Sequence, residues 1–268
     1  MSETFGDRYV LESGRSGHDR LRMLCDIHDR PTRELQLRAG LGPGRRYGEF
    51  GCGLGYVARW AASQGAQVTA VDLSAEHLGE ARQLADEAGL TDIRWINASI
   101  YDHGLPDASL DHAYIRWLLV HLNRPVDALS AVFGALKPGG VLVCEEPDLS
   151  AIYCEPPSEA YQLFRDAVLA AGEARGVDYA GGRRLHRWLL DAGFQLEHAA
   201  AYQPHYLEGP RKGFWSWSFI EAAPGLIADG ILTGEQVEAL AHGMRAADEA
   251  TGVLVGHCRN HQVIARKP

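Results

Sequence analysis

Between residues 46 and 146 the apolar positions fall into short runs separated by stretches of helical period. The runs near 46–50, 67–72, 93–98, 110–115 and 141–146 have the length of strands. The stretches near 55–64, 75–89, 118–122 and 126–136 have the period of helices. Such alternation predicts a parallel sheet with right-handed crossovers. Upstream, residues 18–40 place Leu21, Leu24, Ile27 and Leu35 at helical spacing, ahead of a loop with Gly40, Gly42, Pro43 and Gly44. After Pro147 the pattern changes. A helix is predicted from Glu159 to Gly176, a second near 182–192 and a strand near 195–202. Residues 208–250 are mostly helical and open with GFWSWSF, and the chain ends in a strand, QVIARKP. No repeat or low-complexity segment is present. These elements predict an α/β chain, a doubly wound and mostly parallel sheet with helical lid insertions. The expected organisation is an N-terminal helical cap at 1–40, a core at 41–148, a helical insertion at 149–181, and the end of the sheet at 182–268 with a lid at about 208–250.

The stretch from Glu49 to Ser74, EFGCGLGYVARWAASQGAQVTAVDLS, reads as strand, glycine turn, helix, strand and acid. Ligands of such sheets bind beyond the carboxyl ends of the strands. Gly51, Gly53 and Gly55 stand there, and glycine lets the backbone turn sharply and approach a ligand. The dinucleotide fingerprint GxGxxG would need a glycine where Tyr56 stands. Glu49 would repel a pyrophosphate and attract a cofactor carrying an ammonium and a sulfonium. Asp72, ending the second strand, is placed to accept hydrogen bonds from ribose hydroxyls. Its alternative is a turn aspartate, with Ser74 capping the next helix.

Together, Glu49-Phe-Gly-Cys-Gly-Leu-Gly55, Val71-Asp-Leu-Ser74 and Lys137-Pro-Gly-Gly140 resemble the class I S-adenosylmethionine-dependent methyltransferases, small-molecule type, over roughly residues 45–146. The resemblance implies a seven-stranded sheet with S-adenosylmethionine as cofactor. It places Glu49 at the methionine end, with Gly51, Cys52, Gly53 and Gly55 beneath it. Asp72 takes the ribose, Leu73 covers an adenine face, and Ala98 and Ser99 flank the adenine. Arg116 begins the segment beside the methionine part. Tyr9 is similar to a tyrosine that reaches the cofactor carboxylate from an N-terminal helix. One departure is Gly48, where the family has a bulky apolar residue. It either weakens the strand or admits a neighbouring side chain.

Methyl transfer is an in-line displacement, which needs position, dryness and, for some acceptors, a base. Glu145 and Glu146 end strand five and face opposite ways. Glu146 is the expected inward carboxylate, against a structural acid at a strand end. His121, after strand four, is the second candidate base, against a packing role. His112 and Tyr114 belong to the core. Of the aromatics Phe214, Trp215, Trp217 and Phe219, Trp215 and Trp217 are the candidate acceptor contacts, with Tyr153 as a further one. The alternative is an insertion packing its own core.

Composition narrows the classes. The 268 residues carry a net charge of −9 at a pI of about 5.7, against a large phosphate-tracking surface. The partner expected is a small molecule rather than nucleic acid, and a homo-oligomer is compatible with the chain. Five cysteines without close pairs argue for a reducing compartment. A polar N-terminus and the lack of a membrane-length apolar run make a cytoplasmic protein the expectation. His257-Cys258-x-x-His261 falls in the expected terminal strand and is read as structural, with no metal. A nicotinamide-dependent oxidoreductase and a non-catalytic adenosine-cofactor-binding protein are the alternatives to a methyltransferase.

Overall fold

The computed structural model describes residues 15–268, with side chains from residue 17 onward. Tyr9 lies outside the described residues. The first element, α1 (Arg15–Arg38), precedes the alternating half of the chain: β1 (Arg46–Phe50), α2 (Tyr56–Ser63), β2 (Gln67–Asp72), α3 (Ala75–Glu87), β3 (Arg94–Asn97) and β4 (Leu110–Arg116). A 3-10 turn, Leu119–His121, leads into α4 (Pro125–Ala135) and β5 (Leu136–Asp148). Pro125 starts α4, where its missing N–H costs nothing.

The seven-stranded sheet also takes in β7 (Gln195–Tyr202) and β10 (Arg259–Arg266), in the order β3-β2-β1-β4-β5-β10-β7. β1, β2, β3, β4 and β5 run parallel, and β10 is antiparallel to both its neighbours. Residues alternate faces along each strand. Tyr114 packs with Tyr47, Val68, Val143 and Leu35 of α1 on one face. Ala113 and Ile115 pack with Phe50, Leu142 and α4 on the other, joined there by α6 (Leu185–Asp191). A Cβ on Gly48 would stand 2.5 Å from Leu110 Cδ1. Gly48 therefore admits a neighbouring side chain.

Strand order reverses between β1 and β4, and this opens a crevice at their carboxyl ends. Above it stand α5 (Glu159–Arg175), α7 (Phe214–Ala228) and α8 (Gly234–Glu249). With Leu24 and Ile27 of α1 they enclose a second apolar core around Tyr161, Phe164, Phe214, Trp215, Phe219 and Met244. A three-stranded sheet, β6 (Tyr153–Glu155), β9 (Leu254–Gly256) and β8 (His205–Tyr206), braces this layer. The sequence did not predict it, because strands of two or three residues carry no readable alternation. Among the described residues no helix is long and apolar enough to cross a membrane.

One face of α1 departs from simple amphipathicity. Arg20, Leu24, His28, Thr32 and Gln36, four residues apart, are all buried. Each polar member has a partner across the crevice: Arg20 on Glu221, His28 on Tyr202, Thr32 on Arg116 and Gln36 on His112.

Candidate active site

The turn after β1 is built as the glycine spacing predicts. Gly51, Gly53 and Gly55 all have positive φ, which side chains disfavour. Close packing adds to this at two of them. A Cβ on Gly51 would lie 2.9 Å from Leu118, and one on Gly55 2.7 Å from Trp95. Above Gly53 nothing lies within 4 Å. Cys52 is buried, and burial pushes its thiol well above the usual range.

Asp72 faces this turn from the end of β2. Its Oδ2 accepts the Gly53 N–H at 2.7 Å and its Oδ1 the Ser74 N–H at 2.9 Å. A carboxylate has about four acceptor positions, so lone pairs remain for ligand hydroxyls. Ser74 Oγ accepts the His77 N–H and caps α3. Leu73 is 62% exposed. Asn97, which the sequence reading did not single out, fixes this corner by donating to the carbonyls of Asp72 and Leu73. The Ala98 N–H bonds the Asp72 carbonyl, while Ser99 Oγ accepts the Tyr101 N–H.

Glu49 lies beneath the glycine turn, 5% exposed, and its Oε2 has no hydrogen-bond partner among the described residues. Burial pushes its pKa up to about 8, against the pull of Arg116, Arg59 and the Ala58 amide. Arg116 donates to Thr32 Oγ1 and to Cys25 Sγ. A buried carboxylate lacking a full partner, beside a turn that exposes backbone, suits a ligand with a cationic group.

The two glutamates of β5 face opposite sides of the sheet. Glu146 is fully buried and accepts the backbone N–H groups of Leu118 and Leu119 at Oε1, and of Val120 at Oε2. Its carboxylate is committed to the 3-10 turn after β4. That commitment fits the alternative reading, a structural acid at a strand end, better than a catalytic carboxylate. Burial raises its pKa to about 7, against those three bonds. Glu145, on the other face, receives the Tyr114 hydroxyl and the amides of Asn260 and Gln262. Asp148 caps the Leu149–Ala151 turn by accepting the Ser150 N–H.

His121 packs edge-on against Tyr179, with centroids 5.3 Å apart. Burial, with Arg20 and Arg175, lowers its pKa to about 4. Tyr153 lies over Gly256 in the small sheet, where a Cβ would strike its ring. Trp217 is half-buried, whereas Trp215 is 4% exposed and packs on Trp117, Phe164 and His257. The structure thus brings Trp215, but neither Tyr153 nor His121, beside His257, which the sequence reading took as structural, and beside His28 and Trp117, which it did not single out. The polar residues of α1 gave no signal, because a stripe of mixed character has no apolar period. A cavity of about 590 Å³ lies elsewhere, at the amino ends of β1, β2, β3 and β4, remote from the crevice.

Comparison with known proteins agrees with this geometry. A family model described as a methyltransferase domain matches residues 48–144. The chain is 31% identical to the ubiquinone biosynthesis O-methyltransferase of Xanthomonas axonopodis pv. citri over 182 residues, 65% of this chain and 74% of that one. It is 28% identical to the tRNA U34 carboxymethyltransferase of Desulfotalea psychrophila over 153 residues, 56% of this chain and 45% of that one. Two further curated relatives are matched over 61% and 47% of their length. A solved structure from Bacillus halodurans C-125, described as a methyltransferase, superposes with a TM-score of 0.62 at 18% identity, covering 88% of this chain and 98% of that one. The sheet order, the glycine turn and these matches together place the chain in the class I S-adenosylmethionine-dependent methyltransferase family.

Proposed function

We propose that this protein binds S-adenosylmethionine and transfers its methyl group to a small-molecule acceptor. The observation that carries the reading is Glu49, a buried carboxylate with an unpartnered oxygen beneath the glycine turn. When bound, S-adenosylmethionine supplies a methyl group made electrophilic by a sulfonium. Glu49 neutralises the ammonium of the methionine arm, and Arg116 lies beside that arm. Gly51, Cys52, Gly53 and Gly55 let the backbone approach. Asp72 keeps lone pairs for the ribose. Leu73 offers an exposed apolar surface to the adenine, with Ala98 and Ser99 at its edge.

The lid layer over the crevice excludes water, which favours a step in which positive charge is dispersed. Glu146 shapes the turn after β4 rather than removing a proton. His121, held neutral with a pKa near 4, is a weak base, and its packing on Tyr179 is its main role. The acceptor therefore arrives already nucleophilic or loses its proton late in the reaction. A net charge of −9 and the enclosed lid favour a small molecule over RNA. Glu49 disfavours a nicotinamide dinucleotide, which has no ammonium to offer its unpartnered oxygen and whose pyrophosphate the ionised carboxylate would repel.

The test is incubation with S-adenosylmethionine labelled in its methyl group, a panel of phenolic acids and aromatic ketones, and bulk tRNA. Label in one small molecule, with an equal amount of S-adenosylhomocysteine, is expected. Label in tRNA alone would overturn the acceptor assignment. A protein that binds the cofactor but labels no acceptor would be a non-catalytic binder.

A further inference from the structure

His28 of α1, Trp117 after β4, Tyr202 of β7, Trp215 of α7 and His257 after β9 come together under the lid. The His28 ring lies 5.2 Å from Trp117 and 5.7 Å from Tyr202, and Trp215 lies 5.1 Å from His257. Trp117 and Trp215 are nearly parallel, 6.4 Å apart. Trp117 has a φ of +54°, a conformation bulky residues avoid and that strained functional segments adopt.

Hydrogen bonds fix the protonation of this cluster. An indole nitrogen only donates, and Trp117 Nε1 donates to Asn260 Oδ1 at 2.9 Å. The Asn260 amide therefore turns its NH₂ to Tyr202 Oη at 2.9 Å and to Glu145 Oε2 at 3.3 Å. Tyr202, accepting from Asn260, has one hydrogen left, and His28 Nδ1 stands 2.7 Å away to receive it. A neutral imidazole accepting at Nδ1 carries its own proton on Nε2. His28 is neutral, because burial, with Arg116 and His257, holds its pKa well below the ordinary value. Among the described residues the resulting Nε2–H of His28 has no partner, and neither has the Nε1–H of Trp215. His28 is 0% and Trp215 4% exposed.

Both ring nitrogens of His257, beside Trp215, likewise lack a partner among the described residues. A neutral imidazole there adds one donor and one acceptor, so the cluster holds more buried N–H donors than acceptors and calls for acceptor atoms, since each donor is costly if left unpaired. A protonated amine has none to give. We propose that His28 and Trp215 form a donor subsite that takes an apolar ligand by a carbonyl or carboxylate oxygen, with its body against Trp117. Under the methyl-transfer reading that ligand is the methyl acceptor, and the inference rests on that reading for this identity alone. His28 acts here as a binding residue, not as a base, because its Nδ1 is committed to Tyr202.

The test uses the full chain with S-adenosylhomocysteine, whose binding is measured first. Imidazole ¹⁵N spectra then follow His28 during titration with benzoate, acetophenone and benzylamine. Expected are a protonated Nε2 and unprotonated Nδ1, binding of the two oxygen probes with a shift at Nε2, and no binding of benzylamine. His28→Phe should weaken the oxygen probes about tenfold and leave S-adenosylhomocysteine affinity within about twofold. If that variant does not fold, Tyr202→Phe should mix the His28 tautomers and weaken the same probes. A proton on Nδ1, benzylamine binding as tightly as benzoate, no binding of either oxygen probe, or indifference to these substitutions would overturn the subsite. Failure of S-adenosylhomocysteine to bind would instead sink the methyl-transfer reading, and the probe titrations on the free protein would still decide the subsite.

Discussion

Glu49 sits in the protein at a cost, since burial disfavours its charged form. Its pKa of about 8 in the fold, against the usual 4.5, means that the native state keeps a proton the unfolded chain has released. Glu146, raised to about 7, acts in the same sense. Through these two groups stability falls as pH rises from 4.5 toward 8. His112 and His257, lowered to about 3, and His121, lowered to about 4, act oppositely, raising stability with pH until 6.5. Above 6.5 those histidines are neutral in both states. The ligand-free protein should therefore lose stability from pH 6.5 to 8, as urea titrations at several pH values will show. A cationic ligand reverses the balance at Glu49. S-adenosylhomocysteine binding at pH 7 should release a substantial fraction of a proton, read by calorimetry in buffers of different ionisation enthalpy. Glu49→Gln should abolish that release, and an unchanged release would refute the assignment. At Glu146 the opposite faces of the two β5 glutamates were legible in the sequence. The partners were not, because they are backbone N–H groups of a turn some 26–28 residues away in the chain. Glu146→Gln should cost about 1–3 kcal/mol of stability while retaining turnover. Full stability with turnover lost would restore it as the catalytic base.

Among the elements, α1 shows most clearly what a hydrophobic pattern reveals and what it hides. Its helical period was readable from Leu24, Ile27 and Leu35, which are buried. The buried polar residues Arg20, His28, Thr32 and Gln36 were not, since a stripe of mixed character has no apolar period. Their meaning comes from partners on β4, β7 and α7, distant in sequence. The Arg20–Glu221 pair, 2.6 Å long with both side chains 3% exposed, joins α1 to the lid. Arg20→Ala would leave the Glu221 carboxylate buried without this cation, and should cost about 3–5 kcal/mol. Replacing both, Arg20→Met with Glu221→Leu, should recover most of that loss. Chemical denaturation of the two variants decides the point, and equal stabilities would show that the pair is not coupled. In the lid, the aromatic cluster was read as either acceptor pocket or separate core. Phe214, Trp215 and Phe219 fill the second core, and Trp215 Nε1 is left without a partner among the described residues.

For the whole molecule, the parallel strands of the first half followed from alternation of apolar runs with helical stretches, because each parallel strand must be buried on both faces; β5 (Leu136–Asp148) begins five residues before the expected 141. Asp72 and the glycine turn were legible for the same reason: the sheet places its ligand site at fixed points along the chain. The aromatic cluster around His28 was not, as it is assembled from five segments between residues 28 and 260. Ligand binding to the folded state alone should raise its melting temperature, but affinity measured at the site discriminates more sharply. The central claim is therefore tested most directly by calorimetric titration of wild-type protein and Asp72→Ala with S-adenosylhomocysteine and with NAD. The account predicts that the wild type binds S-adenosylhomocysteine and not NAD, and that folded Asp72→Ala binds it more weakly by about 1–3 kcal/mol. Preference for NAD, or undiminished affinity in the variant, would contradict it.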